Sequence, residues 1–269
     1  MAGSEKPSVE INGLRVAYQR VGKGPTLVLL HGILSDSRAW ASQLADLAAR
    51  FTVVAWDAPG AGDSSDPSGP FSASDYADCL SAFMEALDLE AAHVLGLSWG
   101  GVLAQELYRQ HPERVRSLIL ADTYAGWKGS LPRAICDERL AACLRESELP
   151  PEEWVPGWVP GLLTENAPQE LRDEVAEIMS DFHPAGYRAM ALALASTDSR
   201  DLLPQIRVPT LLLWGDGDER APLSVAEQLR EGIPGARLVV IADAGHESNL
   251  EQPARFNAAV SDFCRSVEQ

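Results

Sequence analysis

Positive charge is scarce in this chain: 22 Lys and Arg face 39 Asp and Glu, leaving a net charge of −17 over 269 residues. No basic stripe is available to displace condensed counterions, so nucleic acid and anionic membrane surfaces are not expected as partners. The acidity reads as a highly soluble surface. It also weakly disfavours long-range capture of anionic substrates unless a local Arg overrides it. Long apolar runs are missing too: none approaches the roughly 20 residues needed to span a bilayer. The stretch Met1 to Pro7 has no apolar segment of the kind a secretory leader carries, and a cytoplasmic protein is expected. Cysteine is sparse, with four residues at 79, 136, 143 and 264, no CxxC and no His at zinc-ligand spacing. These read as reduced, mostly buried thiols, with a Cys136–Cys143 disulfide as the less favoured alternative. No metal and no organic cofactor is implied.

What is present is a Ser between glycines, Gly96-Leu97-Ser98-Trp99-Gly100-Gly101, after the apolar run Ala92 to Leu97 and before a helical pattern from Val102 to Arg109. A nucleophile on a sharp strand-to-helix turn needs small residues two before and two after it, so that strand and helix can approach. Gly96 and Gly100 supply that room, and the pattern predicts a serine hydrolase.

Alternating apolar runs and helical patterns predict an α/β architecture. Val9 to Ile11 and Leu14 to Arg20 form a hairpin around Asn12-Gly13. Thr26 to Leu30, Phe51 to Trp56, Ala92 to Leu97, Val115 to Ala121, Thr210 to Trp214 and Ala236 to Ile241 are short and nearly all apolar, as strands covered on both faces are. That makes eight strands in a mostly parallel sheet. Helices are predicted at Ala39 to Ala49, Ala73 to Leu87, Trp99 to Gln110, Leu223 to Arg230 and Pro253 to Ser266. From about Gly126 to Asp201 no strand pattern occurs. Helical patterns fall at Pro132 to Arg145, Pro168 to Asp181 and Ala185 to Ala195, around a Pro/Gly/Trp-rich joint at Pro150 to Gly161. This predicts a core of residues 1–125 and 202–269 and a helical cap of 126–201, with Gly126, Gly129, Gly157 and Gly161 as candidate hinges. Only the first half-dozen residues read as free of fixed structure.

A serine hydroxyl needs a base, and the base needs an anion that holds its tautomer. Of five histidines, His246 follows the last apolar run on a loop before the final helix and is the candidate base. His93 reads as a packed strand residue, His111 as a helix C-terminal cap, His183 as part of the cap, and His31 as bonded within its own loop. Asp218, after the strand Thr210 to Trp214, is the favoured acid because chain order then runs Ser, Asp, His. Asp216 on the same loop and Asp122 at the end of the strand after the Ser98 helix are its rivals. An oxyanion needs two backbone N–H donors: Trp99 supplies one, and Ile33, in the sharp His31-Gly32-Ile33 turn, the other.

His31-Gly32, Trp56-Asp57-Ala-Pro59-Gly60-Ala-Gly62-Asp63-Ser64, Gly96-Leu-Ser98-Trp-Gly100-Gly101, Trp214-Gly215-Asp-Gly-Asp218 and Gly245-His246 with Glu251-Gln-Pro253 together resemble the α/β-hydrolase superfamily over residues 9 to 265. The chain is most similar to the capped branch that holds carboxylesterases, 3-oxoadipate enol-lactonases, carbon–carbon bond hydrolases and cofactor-free haloperoxidases. The resemblance implies an α/β-hydrolase fold, Ser98, Asp218 and His246 as triad, and Ile33 and Trp99 as oxyanion hole. It also implies a structural turn at 57–64, which keeps Asp57 and Asp63 out of catalysis. Haloalkane dehalogenases carry Asp at the elbow, so Ser98 argues against that activity.

Trp99, Trp127, Trp154 and Trp158, with His31 and Gly32, are the candidate pocket residues, Trp154 and Trp158 equally as packing of the cap onto the core; tryptophans facing the cleft would make an aromatic site suited to a small or medium acyl or aryl ester. The expected partner is a small-molecule ester or lactone, and the expected assembly a monomer or small homo-oligomer. A lactonase or carbon–carbon bond hydrolase is the alternative; its substrates usually carry a carboxylate, for which Arg38, Arg133 and Arg188 are the candidate contacts. A third reading is a non-catalytic receptor on the same fold, against which the complete set of triad positions weighs.

Overall fold

Asn12 and Gly13, at φ 51° and 84°, make the tight turn that pairs β1 (Ser8–Ile11) with β2 (Leu14–Val21). The computed structural model describes residues 6–269, so the reading of the N-terminal stretch lies, apart from Lys6 and Pro7, outside the described residues. Six more strands follow: β3 (Thr26–Leu30), β4 (Thr52–Trp56), β5 (Ala92–Leu97), β6 (Val115–Ala121), β7 (Thr210–Gly215) and β8 (Arg237–Ile241). They form one sheet in the order β1-β2-β4-β3-β5-β6-β7-β8. β1 and β2 pair antiparallel, β2 runs antiparallel to β4, and every other pairing is parallel.

The buried strands sort their side chains by period two. Val28 and Leu30, Val54 and Trp56, Leu118 and Leu120, and Leu212 and Trp214 enter one core layer. Leu27 and Leu29, Val53 and Ala55, Ile119 and Ala121, and Leu211 and Leu213 enter the other. The helices supply the coverage: α1 (Ala41–Leu47) and α11 (Pro253–Val267) lie over the second layer, while α2 (Ala73–Ala86), α3 (Trp99–Gln110) and α9 (Leu223–Gly232) lie over the first; α10 (Ser248–Glu251) is one turn leading into α11. α2 begins with a reciprocal cap, Ser72 Oγ accepting from Asp75 N while the Asp75 carboxylate accepts from Ser72 N. The predicted helix from Ala39 starts instead with a 3-10 turn, Ser37–Trp40, capped by Asp36.

Between β6 and β7 stand α4 (Trp127–Ser130), α5 (Arg133–Glu146), α6 (Pro151–Trp158), α7 (Gln169–Ser180) and α8 (Pro184–Ser196). The segment leaves and returns through one neck, where Ser199 N donates to Ala125 O at 2.9 Å. The stretch 150–161, read as a Pro/Gly/Trp-rich joint, is made of α6 and a 3-10 turn, Val159–Gly161. Pro151 sits at the start of α6, where its missing N–H has no intrahelical role, Glu152 and Glu153 meet the positive end of the helix dipole, and Trp154 and Val155 are buried. α8 docks on the core where Gly186 meets Gly60, at φ 83°, so closely that a Cβ on either would overlap the other's backbone.

All four cysteines are buried and free, so the Cys136–Cys143 alternative is not realised. Burial pushes the thiols up, to about 12 at Cys79 and Cys264 and about 11 at Cys143. No helix among the described residues is long and apolar enough to cross a membrane.

Candidate active site

Ser98 stands between β5 and α3 at φ 53°, ψ −116°, a left-handed conformation that a non-glycine residue keeps only where its surroundings enforce it. The enforcement is visible: a Cβ on Gly96 would strike Gly100, and one on Gly100 would strike the backbone of Leu30, so the strand and helix meet at the turn with no side chain between them. Thr123 Oγ1 donates to Ser98 O at 2.5 Å, and Ser98 N to Ala121 O at 2.9 Å, pinning the turn to β6.

Asp218 lies beyond the end of β7 and His246 beyond the end of β8. A hydrogen bond of 2.8 Å joins Ser98 Oγ to His246 Nε2, and one of 2.9 Å joins His246 Nδ1 to Asp218 Oδ2. A carboxylate can only accept, so Nδ1 carries the proton and Nε2 is left free to accept from the serine hydroxyl. Oδ1 of Asp218 accepts from the N–H groups of Arg220 and Ala221, both at 2.8 Å, which fixes the carboxylate's orientation. All three side chains are buried.

Neither rival acid reaches His246. Asp216 is exposed and accepts only a long bond, 3.4 Å, from Ala244 N. Asp122 is fully buried and held by Gly215 N at 2.8 Å and by the Ser248 hydroxyl. Burial first, and then the neighbouring Asp218 charge, push its carboxyl well above the usual range. The loop carrying His246 is clamped by Glu251, whose Oε2 accepts from Gly245 N at 2.6 Å while Oε1 accepts from Thr164 N at 2.9 Å. That clamp ties the loop to the inserted segment.

A narrow cavity opens over Ser98. The core contributes Gly32, Ile33, Tyr124, Arg220 and Glu247 beside Ser98 and His246; the inserted segment contributes Trp127, Arg139, Trp158, Leu162 and Leu194. Gly32 passes against the site, its absent Cβ falling 3.6 Å from Ser98 Cβ. Of the sequence candidates, Gly32, Ile33, Trp127 and Trp158 therefore line the cavity. His31 and Trp154 do not. His31 Nδ1 donates to Gly32 O at 2.7 Å and its Nε2 accepts from Ala58 N at 3.0 Å, and burial lowers its pKa, holding it neutral. Trp154 stacks on Tyr187, ring centres 5.8 Å apart, and meets Phe182 edge-on at 5.1 Å, inside the inserted segment. The Trp99 indole turns into the core against Tyr76 at 5.3 Å, so only its backbone faces the site.

The remaining histidines are occupied elsewhere: His93 with Ser117 and Glu268, His111 with Asp78, His183 with Asp66. The turn 57–64 is tied by its own hydrogen bonds, with Asp57 accepting from Ser37 N and Asp63 N and paired with Lys6 at 2.9 Å. Arg38 pairs with Asp36 and Asp181, Arg188 with Glu148, and Arg133 is exposed, so none of the three cleft candidates enters the cavity. Arg139 and Arg220 stand there instead. The position of Arg220, two residues after Asp218, could have suggested it; Arg139, on a largely polar helix, carries no such signal. Glu247 could have been picked out beside His246. Its burial, reinforced by the Asp218 charge and opposed by His246, pushes it up to about 7. Among the described residues no group of three or more His, Cys, Asp or Glu is placed to hold a metal ion.

A family model described as "Alpha/beta hydrolase family" matches residues 27–259. 3-oxoadipate enol-lactonase 2 of Acinetobacter baylyi is 30% identical over 260 residues, covering 95% of this chain and 95% of its own. A thermophilic esterase from Thermogutta terrifontis superposes with a TM-score of 0.90 at 30% identity, covering 99% of this chain and 100% of its own. A hydrolase from Pseudomonas aeruginosa PA01 gives 0.87 at 32%, covering 96% and 97%.

Proposed function

The chain belongs to the alpha/beta hydrolase family, and on that premise we propose that it is a serine hydrolase cleaving carboxylic esters with small to medium acyl or aryl groups. The observation that carries the reading is the hydrogen-bonded series Ser98 Oγ, His246 Nε2, His246 Nδ1, Asp218 Oδ2, at 2.8 and 2.9 Å. Ser98 attacks the ester carbonyl as Nε2 takes its proton, and the resulting imidazolium faces the Asp218 carboxylate. His246 then returns the proton to the leaving alcohol, and water, activated the same way, frees the acyl group from Ser98.

The negative charge that develops on the carbonyl oxygen meets the N–H groups of Trp99 and Ile33. Trp99 opens α3, where the first N–H groups have no carbonyl within the helix, and Ile33 lies on the loop pressed against Ser98. One such donor is worth about 10²- to 10³-fold in rate. Residues 126–201 act as a cap on a core of 1–125 and 202–269, since the cavity is walled from both sides. Lactone hydrolysis is the second reading: an internal ester uses the same steps, and the two cavity arginines favour a substrate with a carboxylate.

The test is hydrolysis of p-nitrophenyl esters from acetate to decanoate by the protein and its Ser98→Ala variant. Activity should fall by about 10⁴-fold or more in the variant, with short acyl chains preferred. A folded wild type inactive on every ester, or a variant as active as wild type, would overturn the ester reading.

A further inference from the structure

Among the described residues, the buried acids are Asp36, Asp57, Asp122, Asp218 and Glu247. All but the last are provided for. Asp36 holds Arg38, and Asp57 accepts from Ser37 N and Asp63 N and pairs with Lys6. Asp122 accepts from Gly215 N and the Ser248 hydroxyl, and Asp218 from His246 and the N–H groups of Arg220 and Ala221. Glu247, 8% exposed, has no hydrogen-bond or ion-pair partner for its carboxyl among the described residues. A carboxyl buried without a partner is costly unless a ligand supplies one.

The backbone leaves Glu247 no other place. Its N–H donates to Leu162 O of the inserted segment at 3.2 Å, and its carbonyl accepts from Leu250 N and Glu251 N at 2.9 and 3.1 Å at the start of α10. The residue is thus fixed between core and inserted segment, directly after His246. It lines two spaces, of which one is the cavity over Ser98. The other shares Ile33, Leu162 and Glu247 with it and is otherwise lined mainly by Val175, Ile178, Met179 and Leu250, with half-buried Ser35 its other polar residue. The carboxyl therefore stands where a substrate arm passes from the reacting carbonyl into apolar surroundings. Its chemistry selects the group that meets it there. Arg139 and Arg220, in the same cavity, repel a cation. Burial pushes Glu247 up to about 7, so acid and carboxylate are both present near neutral pH. A carbonyl or ether oxygen can pair only with the acid, and an amide N–H can only donate. A hydroxyl donates and accepts, and so meets Glu247 in either state.

We propose that Glu247 is a specificity residue that hydrogen-bonds a hydroxyl of the substrate, and that the substrate is a hydroxy ester whose hydroxyl lies between the ester group and an apolar arm. The apolar arm enters the space lined by Val175, Ile178, Met179 and Leu250 while the carbonyl lies at Ser98. The acyl and the alcohol arm both start at that carbonyl, and each is tested below. The inference rests on the hydrolytic reading of Ser98 for the reaction but not for the binding.

Two measurements separate the two. The first compares kcat/KM within two pairs of esters: methyl 3-hydroxyhexanoate against methyl hexanoate, with the hydroxyl on the acyl arm, and 2-hydroxyhexyl acetate against hexyl acetate, with it on the alcohol arm. In at least one pair the wild type should favour the hydroxy ester, and Glu247→Leu should lower that ratio about tenfold, as loss of a hydrogen bond to a buried carboxyl implies. The pair that responds names the arm. No preference in either pair, or a preference that survives in folded Glu247→Leu, overturns the proposal; Glu247→Ala serves in its place if the leucine does not fit. The second is tryptophan fluorescence of Ser98→Ala titrated with the same four esters, since Trp127 and Trp158 line the cavity. Tighter binding of a hydroxy ester than of its plain partner, lost on adding Glu247→Leu, supports the hydroxyl site even if no ester is hydrolysed. Hydrolysis of plain esters without such a difference leaves the esterase standing and removes the hydroxyl site.

Discussion

Ser98 holds its side chain at φ 53° against the preference of every L-residue, and the cost is measurable. A backbone in such a region stores about 1–3 kcal/mol, while glycine gives up roughly 0.4–1 kcal/mol through the freedom it adds to the unfolded chain. Ser98→Gly and Ser98→Ala both lose the hydroxyl, but only glycine relieves the strain. The Gly variant should therefore melt higher than the Ala variant, by roughly 2–4 °C per kcal/mol gained; an equal or lower midpoint would mean that the turn is unstrained. Glu247 sets a second test. Its folded pKa of about 7 lies above the unfolded value, so the folded state keeps a proton that the unfolded chain loses between about pH 4.5 and 7. Stability contributed by this group falls through that window and stays low above it, by a penalty on the order of 3 kcal/mol. Glu247→Gln should stabilise more at pH 8 than at pH 5 in urea unfolding, and an equal gain at both would show that Glu247 ionises freely. Ser98, His246 and Asp218 were legible because motif, chain order and loop position agreed on each. The choice among the acids needed space: Asp122 also ends a strand beside the site, but its carboxylate is taken by Gly215 N and Ser248.

At the scale of elements, the buried strands were read to within a residue or two because side chains covered on both faces are nearly all apolar. The stretch 150–161, read only as a joint because Pro and Gly weigh against helix in a local pattern, is helical: Pro151 sits at the first turn, where it costs little, and buried Trp154 anchors α6 despite Pro156 inside it. Trp154, open in the sequence between pocket lining and cap packing because sequence does not say which way a tryptophan turns, packs inside the inserted segment. α8 offers a test of how the inserted segment is held. Gly186→Ala would gain roughly 0.5–1 kcal/mol of helix preference in isolation, but its Cβ would overlap the Gly60 backbone, and overpacking costs about 1–3 kcal/mol. The substitution should lower the melting midpoint, against the propensity rule; a rise would show that the docking is loose.

Across the whole molecule, the parallel strands bring the ends of β5, β7 and β8 to one edge of the sheet, and the segment between β6 and β7 closes over that edge. The cavity thus joins residues as far apart in sequence as Gly32 and Glu247. In a chain with this excess of acid, it stands out that among the described residues the two arginines there form no ion pair. By itself the sequence determined the eight-stranded sheet, the strained serine turn and the order of Ser98, Asp218 and His246, because hydrophobic periodicity and glycine sterics act between near neighbours. Only the tertiary structure decided which side chains face the cavity. It turned His31, Trp99 and Trp154 away and brought Arg139 and Arg220 in, because the packing of one helix on another, which sets those directions, depends on residues far apart in the chain.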